Sequence, residues 1–244
     1  MDILQKTIDW EKQRRRPNCS DVIVAAGAST RMNGIDKMTA DLNGESVILR
    51  TLRVFNDCRA IGEIIVVTRE DLVVPIEILC TQYDLDKVRC VTLGGDERTS
   101  SVMAGLGCVS DKAELVAIHD GARPLVTTKL IEKVVDLAAK TGAAAPAIPM
   151  KDTVKVVRKG VIEATPDRSS LVAIQTPQIF DVDLVKAALF KAEQEGIAIT
   201  DDCSAVERMG MKVHIAEGSD ENIKITTPTD LVIARRILSA REKQ

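Results

Sequence analysis

Residues 21–32 read Asp21-Val22-Ile23-Val24-Ala25-Ala26-Gly27-Ala28-Ser29-Thr30-Arg31-Met32. An apolar, β-branched run that ends on small residues and a glycine is the pattern of a strand buried on both faces. Further along, the same pattern returns three times, at 63–68 (Glu-Ile-Ile-Val-Val-Thr), 88–93 and 115–119 (Leu-Val-Ala-Ile-His). Between these runs the apolar residues change to helical spacing: 47, 48, 52 and 55, then 74–83, 97–108, and 130, 131, 134, 135, 137 and 138. Strands that alternate with helices and are apolar throughout predict an α/β fold, a largely parallel sheet covered by helices on both faces in three layers. In such folds ligands sit beyond the carboxyl ends of the strands, which directs attention to loops 26–37, 94–101 and 119–124.

After about residue 150 the rhythm changes. Val154 to Val157 and Gly160 to Ala164 alternate around Arg158-Lys159-Gly160, a hairpin signal. An isolated hairpin is barely stable alone, so the segment at about 150–170 reads as an arm that finds its partner on a second copy of the chain. The alternating rhythm then resumes, with a strand at 175–180, helices at 182–195 and 201–209, strands at 212–216 and 222–226, and a last helix from Pro228. Residues 1–20 stand apart as an N-terminal extension; Ile3, Leu4, Thr7, Ile8 and Trp10 share one face of a short helix. The extension is expected to pack on the body or to stay partly mobile, with a membrane-surface helix as the alternative. Residues 21–244 read as one domain.

Composition narrows the functions. The 244 residues carry 33 Lys and Arg against 36 Asp and Glu, a formal charge of −3, which gives no broad basic surface for nucleic acid. No apolar stretch approaches the roughly 18–20 residues of a membrane span, and residues 1–20 lack the apolar core of a secretory signal. Aromatic residues are 2%, so the core must be built from aliphatic side chains. The six cysteines show no C-x-x-C spacing, which speaks for reduced thiols in a cytoplasmic protein and against zinc or a disulfide framework.

Each loop at a strand end carries groups suited to an anion. In the first, small residues let backbone N–H groups approach a phosphate, and Arg31 and Lys37 add positive charge; a tight turn with surface charges is the competing reading. It is neither a Walker A loop nor a dinucleotide fingerprint. In the second, Gly94-Gly95-Asp96 precedes a helix, so Asp96 is a ligand contact or the helix N-cap. In the third, Asp120 of His119-Asp120-Gly121-Ala122-Arg123-Pro124 stands where a Mg²⁺ ligand is wanted, and Arg123 offers a planar fork to a phosphate; an Asp–Arg surface pair is the competing reading. Asn222 and Lys224, two apart in a predicted strand, would share one face, beside a metal and a phosphate respectively.

Eight strings in this order resemble the 2-C-methyl-D-erythritol 4-phosphate cytidylyltransferase family. They are A-A-G-x-S-x-R-M (25–32), G-G-D-E-R-x-x-S-V (94–102), H-D-G-A-R-P (119–124), D-T-V-K (152–155), D-R-S-x-L (167–171), Q-T-P-Q (175–178), I-T-D-D (199–202) and N-I-K-I-T-x-P (222–228). The resemblance implies a Rossmann-like nucleotidyltransferase fold and a homodimer with exchanged arms. It also implies transfer of the cytidylyl group of CTP to 2-C-methyl-D-erythritol 4-phosphate, with Mg²⁺, giving CDP-methylerythritol and pyrophosphate. By position Ala25, Ala26, Gly27 and Ser29 look like the cradle of the nucleotide, and Gly95, Asp96 and Ser101 like contacts to its base and ribose. Arg31, Lys37 and Lys224 look like catalytic cations, and Asp120 like the metal-side acid. Arg123, Thr200, Thr153 and Arg168 look like contacts to the acceptor phosphate, the last two from the neighbour's arm. Ser29 stands where the family's loop has its second glycine, and Val24 where it has proline. Rival readings are a ribitol 5-phosphate cytidylyltransferase and a catalytically silent nucleotide-binding protein.

Overall fold

The computed structural model describes residues 17–242, so the helix read at residues 3–10 lies outside the described residues. In chain order the elements are β1 (Cys19–Val24), α1 (Val47–Asp57), β2 (Ile61–Thr68), α2 (Glu70–Gln82), β3 (Val88–Leu93), α3 (Arg98–Cys108), β4 (Leu115–Asp120) and α4 (Thr128–Thr141). They continue with β5 (Ala143–Pro149), β6 (Val156–Arg158), β7 (Val161–Ala164), β8 (Val172–Ile174), β9 (Gln178–Asp181), α5 (Val182–Gln194), α6 (Asp202–Arg208), β10 (His214–Glu217) and α7 (Pro228–Arg241). The main sheet runs β10-β5-β9-β4-β1-β2-β3, with β8 beside β5 where β9 leaves it. β1 pairs in parallel with β2 and β4, β2 with β3, and β10 with β5; β9 runs antiparallel between β4 and β5. The predicted three-layer α/β architecture with a mostly parallel sheet is thus the observed one.

Side-chain alternation explains the layers. On one face Ile23, Ile64, Val66 and Ala117 meet α1, α2 and α4 through Leu52, Phe55, Ile76 and Val134. On the other face Val22, Ile65, Val67 and Ile118 meet α3, α5 and α6 through Val102, Leu106, Val185 and Val206. Every strand residue in both sets is fully buried. Each such Val, Ile, Leu or Phe side chain contributes roughly 1.5–3 kcal/mol.

Four expectations need correction. β5 was not predicted, because Ala143-Ala144-Ala145-Pro146-Ala147 has the residues that strands usually avoid. It is nevertheless central and buried: Pro146 O accepts from Gln175 N–H at 2.8 Å, and small side chains let flanking layers close over it. The strand expected at 222–226 is an extended loop, tied to the sheet end where Ile225 N–H donates to Ala122 O at 2.8 Å. The second helix starts at Glu70 and not at Val74; Glu70 and Asp71 complement its dipole, and Pro75 lies inside it. The strand expected at 175–180 divides into β8 and β9, separated by Gln175-Thr176-Pro177.

The hairpin forms as read. Among the described residues β6 and β7 pair only with each other, through a turn in which Lys159 and Gly160 both take positive φ (49° and 79°), as a type I′ turn requires. Val156, Val157, Val161 and Ile162 are all exposed on it.

Asp21 is an anomaly in the core. It is fully buried in the middle of β1, and neither carboxylate oxygen has a partner among the described residues. Burial pushes its carboxyl well up. Above the ordinary unfolded value of about 3.9 the unfolded chain gives up a proton that the folded one keeps, so stability falls as pH rises. Asp21→Val is therefore expected to raise stability at pH 7 by roughly 1–3 kcal/mol and to flatten its dependence on pH. Urea unfolding at pH 5 and pH 8 measures both; a variant less stable at pH 8 would refute the expectation.

Candidate active site

The carboxyl ends of β1, β3 and β4 open into a cleft of about 190 Å³. Among its lining residues are Ala26, Gly27, Lys37, Gly95, Asp96, Ser101, Asp120 and Lys224 from the sequence-predicted set. Val24, Met38, Glu97, Arg98 and Ala122 complete it. The motifs from four separate regions of the chain therefore meet at one place.

The first loop leaves β1 with Ala25 N–H donating to Val67 O at 2.7 Å. Ser29 takes φ 55°, a left-handed conformation that glycine adopts without a Cβ penalty. Its Oγ accepts from Lys37 N–H at 3.2 Å, so the hydroxyl does for the loop what a glycine would not. The loop is anchored a second time by Arg69, which bonds Asp71 at 3.0 Å, pairs with Asp36 and reaches Gly27 O at 3.5 Å. A Cβ on Gly27 would lie 3.2 Å from Lys37 Nζ, which places the ammonium directly over the strand end. Burial, then Lys224, lower the affinity of Lys37 for its proton, with Arg31 adding to the effect. Arg31 itself is exposed.

The second loop is close-packed around Gly94, where a Cβ would meet Ala26 Cβ at 2.5 Å and Ser101 Oγ at 2.7 Å. Asp96 is not the cap of α3. That place belongs to Glu97, whose N–H donates to Ser100 Oγ at 3.1 Å, and Asp96 is left exposed at the cleft.

The third loop carries the charge centre. Asp120 is 7% exposed and faces Lys224 Nζ at 3.0 Å, Arg123 Nε at 3.3 Å and Arg98 Nε at 3.9 Å. Burial works against its charged form, but Lys224, Arg98 and Arg123 outweigh burial and hold the carboxyl well below the usual carboxylate range. His119 is a strut. Arg123 O accepts from its Nε2 at 3.2 Å, so Nδ1 is the acceptor for the Thr176 hydroxyl at 3.1 Å, and Thr176 Oγ1 accepts Asp120 N–H. Burial pushes this imidazole down to about 3, which leaves it neutral in that chain of bonds.

Other predicted residues lie off the cleft. Asn222 does not share a face with Lys224: it is buried and donates Nδ2 to Thr176 O at 3.0 Å, while its backbone O accepts from Arg123 Nη1 at 2.7 Å. Thr153 and Arg168 are exposed on the arm, where Arg168 Nη1 donates to Lys151 O at 2.7 Å. Thr200 is exposed just before Asp201, the N-cap of α6. Ala25 is buried beneath the first loop. Arg98 and Arg69 were not singled out in the sequence; Arg98 lay within a quoted motif, whereas no local signal marks Arg69.

The site is a cluster of cations around one ionised carboxylate, walled by close-approaching backbone, and it suits a polyanion. Residues 19–240 match the family model described as 2-C-methyl-D-erythritol 4-phosphate cytidylyltransferase. The chain belongs to this family. A relative so named from Caldanaerobacter subterraneus subsp. tengcongensis is 46% identical over 224 residues, 91% of this chain and 99% of the relative. The solved 4-diphosphocytidyl-2C-methyl-D-erythritol synthase of Anaerococcus prevotii superposes with a TM-score of 0.82 at 32% identity, over 91% of this chain and 96% of that one. The 2-C-methyl-D-erythritol 4-phosphate cytidylyltransferase structure from Thermus thermophilus gives 0.74 at 29% identity, over 89% and 98%. Among the described residues no helix is long and apolar enough to cross a membrane.

Proposed function

We propose that the chain transfers the cytidylyl group of CTP to 2-C-methyl-D-erythritol 4-phosphate, releasing pyrophosphate, a step of isoprenoid precursor synthesis. The observation that carries this reading is the convergence of Lys37, Lys224, Arg98 and Arg123 on Asp120 at the strand ends of a family member. Backbone at Ala26, Gly27 and Ser29 cradles the triphosphate, over Ala25, whose N–H is engaged by Val67 O and fixes the loop at the strand end, and Gly95, Asp96 and Ser101 meet base and ribose. Arg123 and Thr200 take the acceptor phosphate.

The acceptor's phosphate oxygen attacks the α-phosphorus in line, and pyrophosphate leaves. A phosphate monoester is already anionic, so the reaction needs no general base. The barrier lies in bringing anion to anion and in the charge that builds on the α-phosphoryl and pyrophosphate oxygens. Lys37 and Lys224 offset that charge from the cleft wall, and Arg31 from the exposed loop beside it.

The residues also fit Mg²⁺. No three His, Cys, Asp or Glu side chains converge on a metal site among the described residues, but Mg²⁺ is commonly held by one or two carboxylates plus substrate phosphates. Asp120 is ionised and at the cleft, and among the described residues its Oδ1 has only Arg98 Nε, at 3.9 Å, as an ion-pair partner. Asp120 would hold the ion, which would supply Lewis-acid charge neutralisation at the phosphates.

Thr153 and Arg168 serve the reaction from the neighbour's arm in a homodimer; this explains an exposed apolar hairpin that leaves its own sheet. Residues 21–244 act as one catalytic unit with that arm at about 150–170. The unpaired thiols suit a cytoplasmic enzyme. Arg168→Ala is expected to raise the acceptor KM with little change for CTP. Mixed dimers of Arg168→Ala and Lys37→Ala chains should recover one working site in steady-state turnover; no recovery would argue against exchanged arms.

Pyrophosphate release from CTP and Mg²⁺ tests the whole reading, with methylerythritol phosphate and ribitol 5-phosphate as alternative acceptors. Release with the first alone is expected. Release with the second alone would overturn the acceptor, and silence with both would favour a nucleotide-binding protein without turnover.

A further inference from the structure

Asp202, the first residue of α6, is fully buried. Its Oδ2 accepts a 2.7 Å hydrogen bond from Arg98 Nη2, and its Oδ1 has no partner among the described residues. Burial pushes the carboxyl up, against the pull of Arg98. A buried, half-satisfied carboxylate is costly to keep, and the reaction steps above give it no task.

What it touches supplies one. Arg98 begins α3, lines the cleft, and also stands 3.9 Å from Asp120 Oδ1. A single planar guanidinium is thus held between a carboxylate of α6 and one of β4. The nucleotide loops have their own fastenings: Ala25 N–H to Val67 O, Gly94 N–H to Thr68 O at 2.8 Å, and Ser101 Oγ to Gly95 O at 3.3 Å. The start of α6 is tied differently. Gln178 donates Nε2 to Asp201 Oδ2 at 3.0 Å and accepts Cys203 N–H at 3.0 Å, and Arg98, from the cleft wall, holds Asp202.

The geometry points to Asp202 as a positioning residue that acts through Arg98: the pair ties the start of α6, with Thr200 just before it, to the cleft wall at Arg98 and Asp120, and so sets affinity for the acceptor phosphate rather than for CTP. This rests on the reading that Thr200 and Arg123 take the acceptor phosphate. A structural role alone would lower the amount of folded enzyme and leave both KM values unchanged in what remains.

The test is pyrophosphate release over separate CTP and acceptor titrations for wild type, Asp202→Asn, Arg98→Met, Arg98→Lys and the Asp202→Asn/Arg98→Met double variant. CTP binding is measured alongside by calorimetry, and melting temperature reports folding. Asp202→Asn and Arg98→Met are expected to raise the acceptor KM roughly tenfold, the scale of one lost charge-assisted bond, with CTP affinity within about twofold. Arg98→Lys should restore part of the loss, and the double variant should be little worse than either single one. Should Asp202→Asn not fold, the two Arg98 variants carry the same comparison. CTP and acceptor constants moving together, or an unchanged acceptor KM, would overturn the pair's role while leaving the reaction in place. A wild type that binds CTP but is silent with every acceptor would overturn the reaction and the pair with it.

Discussion

Lys37→Ala should lower kcat by roughly 10²–10³, the scale of losing one preorganised charge donor at developing negative charge. The ammonium is placed before any ligand arrives: its backbone N–H is bound by Ser29 Oγ, and its Nζ sits 3.2 Å from where a Gly27 Cβ would be. Burial and Lys224 make its charge costly in the free protein. That cost is relieved as negative charge grows beside it, so its interaction is stronger in the transition state than in the ground state, which is the condition for raising kcat. Steady-state kinetics on folded variant should show kcat falling with a smaller change in the CTP KM. Turnover within a fewfold of wild type would remove Lys37 from that role.

Asp120→Ala should cost both activity and about 3 kcal/mol of stability, because it leaves three cations facing one another in a poorly solvated site. Lys224 and Arg123 lie 3.0 and 3.3 Å from the carboxylate, with Arg98 behind them. The pH dependence has a definite sign. The folded carboxyl titrates below its unfolded value, so its contribution is present in full above about pH 4 and is lost as pH falls through the folded value. Urea unfolding should therefore show a constant gap between wild type and variant from pH 6 to 8, narrowing in acid. Equal stability at pH 7, or a gap that persists undiminished near pH 2, would contradict the account of Asp120.

The arm and the cleft differ in how they were read. Arg158-Lys159-Gly160 predicted its turn because the signal is local, two residues that must take positive φ. Gly94, Asp120 and Lys224 were recognisable only as parts of ordered motifs, since no single one distinguishes a site from a turn or a surface pair. Asp96 shows the ambiguity well: an acid before a helix has the look of a cap, and only the Glu97–Ser100 bond shows that it is not one.

By itself the sequence determined the strand and helix rhythm, the faces of β1, β2 and β4, and the loops in which the site would lie. Those properties depend on side-chain periodicity and backbone preference within a few residues. The tertiary structure alone decided that an Ala- and Pro-rich segment becomes the buried strand β5 and that residues 222–226 remain a loop. It alone decided which charges meet. Arg98 and Asp202 are 104 residues apart and Arg69 and Asp36 are 33 apart, with nothing near either residue to name the other. Such pairings follow from strand order and helix packing, which bring distant positions within 3 Å only after the core has closed.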